Sequence, residues 1–133
     1  MSVFVVQVKA QVVEVKEVPG VVVTSFQSSY PSVSTVQWSK AGTYYVADYS
    51  VSGNDMFITY DLSGKIIETG EGVAVTSYPA SLTTYVKTKY KDEKIKKVYK
   101  VKDANGKTVW KGKVKTDYLY FDENGNYIKM EKD

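Results

Sequence analysis

No cysteine and no histidine occur among the 133 residues, and every one of the 18 basic residues is lysine. Without cysteine there is no disulfide, no thiolate nucleophile and no cysteine-type metal site. That absence is compatible with a reducing or an oxidising compartment. Without histidine the chain lacks the usual general base near neutral pH and the commonest metal ligand. Without arginine it lacks the planar fork that grips phosphate or carboxylate bidentately. No apolar stretch approaches the ~20 residues of a membrane-spanning helix.

What is present says nearly the same thing twice. Val13, Val15, Pro19 and Tyr30 recur 60 residues later as Val73, Val75, Pro79 and Tyr90. Tyr60-Asp61-Leu62-Ser63-Gly64-Lys65-Ile66-Ile67 recurs 61 residues later as Phe121-Asp122-Glu123-Asn124-Gly125-Asn126-Tyr127-Ile128. A duplication of this period governs the fold. A 60-residue unit alone buries too little surface to be robust, so the halves are expected to share a sheet or pack together. The division is repeat one over 11–72 and repeat two over 73–133, in one compact domain. Residues 1–10 admit two readings: the remnant of a secretory leader ending near Ala10, or an N-terminal strand with Val6, Val8, Ala10 and Val12 on one face.

Within each repeat the pattern predicts a short strand, a helix and a run of strands. After Pro19, Val22, Val23, Phe26 and Tyr30 fall at helical spacing; after Pro79, Leu82, Val86 and Tyr90 do so. Proline suits a helix start because its missing N–H would be unpaired there. Strands are expected over Val33–Lys40, Thr43–Val51, Met56–Asp61, Lys65–Gly70, Lys94–Lys102, Thr108–Lys115, Asp117–Phe121 and Tyr127–Lys132. The punctuation between them is turn chemistry, such as Asn105-Gly106 and Asn124-Gly125. Short turns make neighbours antiparallel. The fold class is therefore α+β: an antiparallel sheet of about eight strands with two helices on one face.

Several of these features together resemble one family. The order Pro, helix, Tyr30-Pro31-Ser32-Val33-Ser34-Thr35-Val36-Gln37-Trp38, Tyr44-Tyr45, then Tyr60-Asp61-x-x-Gly64-Lys65, in tandem, is similar to the PepSY-like periplasmic family. That family is described as like β-lactamase inhibitor protein in fold. The likeness covers residues 13–133. It implies a periplasmic or secreted tandem repeat without known activity. Repeat two departs at Val98, which stands in the place of Trp38, and at Lys91, in the place of Pro31.

Catalytic equipment is sparse. Asp92-Glu93 and Asp122-Glu123 sit in turns, where sequence neighbours do not converge on one bond and exposed carboxylates keep ordinary pKa values. No Ser-x-x-Lys or Gly-x-Ser-x-Gly motif is present. Asp61, Asp103 and Asp122 each precede a glycine at the fourth position, which fits turns rather than a calcium loop, whose glycine is sixth. No catalytic residue, metal site or cofactor is expected.

Aromatic residues make up 14% of the chain, 12 of them tyrosine. In the strand around Trp110, Lys111, Lys113 and Lys115 alternate with Trp110, Gly112 and Val114, so Trp110 should face inward. Next door, Leu119 and Phe121 should join the core while Tyr118 and Tyr120 face out. The candidate binding surface is thus an open sheet face carrying Tyr44, Phe57, Tyr118 and Tyr120 among Lys111, Lys113 and Lys115. Such a face fits a protein or peptide partner, since tyrosine gives large contact area at low entropic cost. The absence of arginine argues against nucleic acid. The alternative is a small-ligand carrier with a pocket between helices and sheet, lined by Phe26, Trp38 or Trp110.

Overall fold

The structure, a computed structural model, describes residues 10–132 of the chain. The readings of the N-terminal segment as leader or strand lie outside the described residues up to position 9. The elements run β1 (Gln11–Val13), α1 (Gly20–Ser29), β2 (Gln37–Ala41), β3 (Tyr44–Val51), β4 (Asn54–Tyr60), β5 (Ile66–Gly72), α2 (Ala80–Lys89), β6 (Ile95–Asp103), β7 (Thr108–Val114), β8 (Asp117–Phe121) and β9 (Tyr127–Lys132). The nine strands form one curled sheet in sequence order, each antiparallel to the next. The α+β class with two helices is as expected, with one strand more than the eight counted.

The extra strand is β1, at the edge of the sheet, and its counterpart in repeat two is fused into β5. β1 pairs with β2 through Gln11 opposite Lys40 and Val13 opposite Trp38. Sixty residues later, Glu71 lies opposite Lys100, and the Val73 N–H donates to the Val98 carbonyl at 3.0 Å. The counterpart of β1 is therefore the tail of β5, while the head of β5 corresponds to β9. One strand closes repeat one and opens repeat two.

Both helices start after a proline and end alike. The Tyr30 N–H donates to the Phe26 carbonyl at 2.9 Å, and the Tyr90 N–H to the Val86 carbonyl at 2.7 Å. α1 buries Val22 and Phe26 against Trp38, Tyr45, Ala47, Tyr49, Ile58 and Tyr60. α2 buries Leu82 and Val86 against Val98, Val114, Leu119 and Phe121. Period-two alternation through the strand register puts both clusters on the same sheet face. Trp110 packs against the second cluster, as its alternation predicts. β2 starts four residues later than expected: Val33 donates its N–H to Tyr30 in a turn.

The three Asp-x-x-Gly segments are one device used repeatedly. Asp61 Oδ1 accepts the N–H groups of Ser63 and Lys65. Asp103 Oδ1 accepts those of Asn105 and Lys107, and Asp122 Oδ1 those of Asn124 and Asn126. The fourth-position glycines adopt φ of 80–87°, a region that costs glycine nothing. The Ser63 hydroxyl and the Lys65 amide hold the Asp61 carboxyl below the usual range. The Asn126 and Asn124 amides do the same for Asp122.

Candidate functional site

The sheet face away from the helices gathers most of the expected residues. Register gives one row of Gly72, Tyr99, Lys111, Tyr120 and Lys129, and a second of Lys97, Lys113, Tyr118 and Glu131. A third row holds Asp48, Phe57, Gly70 and Val101. β4 and β7 stand three strand spacings apart, about 14 Å if the sheet were flat. The curl brings their side chains together: Lys111 Nζ lies 5.2 Å from the centre of the Phe57 ring. The same ammonium lies 4.5 Å from the Tyr118 ring and 5.6 Å from that of Tyr120. Lys113 sits 5.1 Å over Tyr118 and Lys129 4.6 Å over Tyr120. Cations over aromatic faces contribute roughly 0.5–2 kcal/mol each, more where water is excluded.

Two glycines make this convergence possible. Gly70 and Gly72 put no side chain on the inner face of β5, so the Phe57 and Tyr99 rings meet across it edge to face, centroids 5.1 Å apart. A Cβ added at Gly70 would collide with the Phe57 ring. Phe57 is consequently 4% exposed; the alternation that turned it away from the helices did not reveal that it would be covered. Tyr99, Tyr118, Lys111 and Lys113 remain half-buried.

The electrostatics are those of a sheltered, closely paired surface. Burial pushes the Asp48 carboxyl above its usual value against the pull of Lys111. Burial and then Asp48 push the Tyr99 phenol up to about 12. Burial, with a hydrogen bond to Glu131, drives Tyr120 well above its usual value, so it stays neutral. Lys97 pairs with Asp55 across the seam. The carboxylates are spread along the face and matched by lysines. Among the described residues no group of three or more metal-type ligands forms.

Two expected residues stand apart. Lys115 lies in the β7–β8 turn at φ 56° and pairs with Glu93 at 3.3 Å, beyond the end of the face. Tyr44 lies at the far end of β3, opposite Ala41 and four residues from Asp48. The expected surface therefore contracts to Phe57, Lys111, Lys113, Tyr118 and Tyr120. It gains Asp48, Tyr99, Lys129 and Glu131, which the same period-two reading of β3, β6 and β9 would have supplied.

On the helix side, a groove of about 540 Å³ runs between α1 and the segment before β2. Val13, Val23, Val33 and Val36 line it over Phe26 and Trp38. Those two aromatics are only 2% and 5% exposed, so they offer a ligand little surface. Trp110 is not part of it.

The fold defines a class: a duplicated helix-and-meander protein whose sheet, among the described residues, is clad by helices on one face and by none on the other. Residues 4–68 and 69–129 each match the family described as "Putative beta-lactamase-inhibitor-like, PepSY-like", and the chain belongs to it. The boundary between the two matches falls inside β5. A crystal structure described as a "putative periplasmic" protein from Bacteroides eggerthii superposes with TM-score 0.70 at 17% identity, covering 86% of this chain and 88% of that one. A DUF2874 family protein from Bacteroides ovatus gives 0.66 at 20%, covering 86% and 87%. A BLIP-like protein from Bacteroides fragilis gives 0.59 at 20%, covering 86% of each. Likeness at these identities speaks for the fold. No curated protein matches the chain.

Proposed function

We propose that this protein is a non-enzymatic binding module of the bacterial periplasm or exterior, recognising a protein or peptide through the inner face of its sheet. The two repeats, 11–72 and 73–133, act as one domain, because the face draws residues from both. The observation that carries the reading is the cluster in which Lys111 sits among three aromatic rings. Phe57, Lys111 and Tyr120 form the floor of that cluster, and the half-buried Tyr99, Tyr118 and Lys113 stand beside them. Rigid tyrosines with immobilised neighbours bind at low entropic cost. The periplasmic assignment draws on the description of the Bacteroides eggerthii structure, and the inhibitor-like family fits a protein partner. A small-ligand carrier is the less supported reading, since the groove beside α1 hides its aromatic floor.

The test is affinity capture from a Bacteroides envelope extract, with the parent beside a Lys113→Ala/Tyr118→Ala variant. Tyr120 is left intact because it is packed into the floor. Loss of at least a tenfold share of one captured partner, with an unchanged melting curve, is the expected result. A folded variant that captures every partner as the parent does would reject this face.

A further inference from the structure

The duplication supplies an internal control for surface charge. Residues 27–37 form a corner from the end of α1, the loop after it and the start of β2. Shifted by 60, they fall on 87–97, the same corner after α2. The two helices close alike, with φ/ψ of −133/63 at Tyr30 and −122/66 at Tyr90, although β6 starts two residues earlier in its repeat than β2. The first corner contains no charged residue. In the second, Gln27, Ser29, Pro31, Ser34 and Val36 are replaced by Lys87, Lys89, Lys91, Lys94 and Lys96, and Gln37 by a sixth lysine, Lys97, which is half-buried and pairs with Asp55. The first five lysines are exposed. Among the described residues none of them forms an ion pair, and of the two acids beside them Glu93 is engaged by Lys115. Residues 87–115 hold 12 of the 18 lysines and 3 of the 15 acidic residues.

Helix formation does not call for this charge. Basic residues in a last turn complement the helix dipole, yet α1 ends with none. Solubility does not call for it either, since dispersed charge serves that purpose. The corner holds no large exposed anchor: Tyr90 and Ile95 are half-buried. Protein hot spots are built from Trp, Tyr and Arg in pockets, and a phosphate pocket favours the arginine fork. Hydrated point charges spread over an exposed corner fit a broad anionic surface instead.

We propose that this corner docks the protein onto anionic phospholipid headgroups. α2 lies on the face opposite the aromatic cluster, so docking through this corner does not itself cover that cluster. The inference does not depend on the protein-binding reading, and its test does not involve that face.

The test is cosedimentation with phosphatidylcholine vesicles containing about one-third phosphatidylglycerol, beside pure phosphatidylcholine vesicles, at low and raised salt. The parent is expected to bind the anionic vesicles alone, and less at higher salt. A Lys87→Gln/Lys89→Ser/Lys94→Ser variant, carrying residues found in repeat one, is expected to lose roughly a hundredfold in affinity at about fivefold per lysine. Its melting curve should be unchanged, and the matching triple arginine variant should still bind. Absence of parent binding to the anionic vesicles overturns the proposal, as does equal binding by the triple variant. Capture by soluble polyglutamate without vesicle binding would make the partner an acidic polymer and overturn the membrane assignment.

Discussion

Tyr60 carries the one buried side-chain polar atom without a hydrogen-bond partner among the described residues, its phenolic oxygen. The ring earns its place beside Trp38 in the core under α1, but the hydroxyl contributes a desolvation cost of about 1–3 kcal/mol. Burial pushes its pKa up to about 12. A raised folded pKa favours the neutral phenol. Its contribution is complete below the ordinary value of 10 and is lost as pH climbs toward 12. Tyr60→Phe should therefore raise stability at pH 7 by about 1 kcal/mol, a few degrees in Tm. It should also soften the loss of stability between pH 10 and 12. Thermal melts across that range decide it, and a lowered Tm at pH 7 would mean that the hydroxyl has a partner. At this scale the sequence was legible in direction but not in depth. Alternation told which way Phe57, Trp110, Leu119 and Tyr120 point. It could not tell that Phe57 is covered, because the cover comes from Tyr99 and Lys111, two and three strands away.

β5 shows what an element can owe to residues with nothing to offer but space. Gly70 lies directly opposite Phe57, and an aromatic ring laid over a strand glycine compensates for its missing side chain. Gly70→Ala forces the ring aside, an overpacking expected to cost about 1–3 kcal/mol. The near-ultraviolet dichroism of the cluster should weaken with it. Gly53→Ala serves as the comparison, since its added Cβ meets nothing within 4 Å and only its positive φ of 81° is penalised. An unchanged aromatic signal in Gly70→Ala would show that the ring relocates freely. Strands and turns were legible because Asx turns and glycines with positive φ write themselves into sequence as Asp-x-x-Gly. The start of β2 was not. Val33 and Val36 look like strand residues, but they cover the first core from a loop.

The molecule has two helix-side cores and one sheet. No linker separates the repeats, because β5 belongs to both. Three further contacts cross the seam on the inner face: Phe57 with Tyr99, Lys111 with Phe57, and Lys97 with Asp55. Unfolding one repeat would strip a strand from the other, so a single cooperative transition is expected despite the internal symmetry. Calorimetric and van't Hoff enthalpies should agree. A calorimetric value near twice the other would show that the halves melt separately. The duplication itself was plain in the sequence; its fusion within one strand was not, since residues 66–72 contain the pattern of an ending and of a beginning together.

The strict sequence order of the sheet has a mechanical corollary. β1 and β9 occupy opposite edges, so a pull on the two ends of the described chain acts across the strands rather than along them. Ladder bonds then open a few at a time, like a zip, instead of shearing together as a block. This domain should yield to stretching at forces far below those its thermal stability would suggest, starting at three-residue β1 or at β9, with the shared strand β5 among the last to let go.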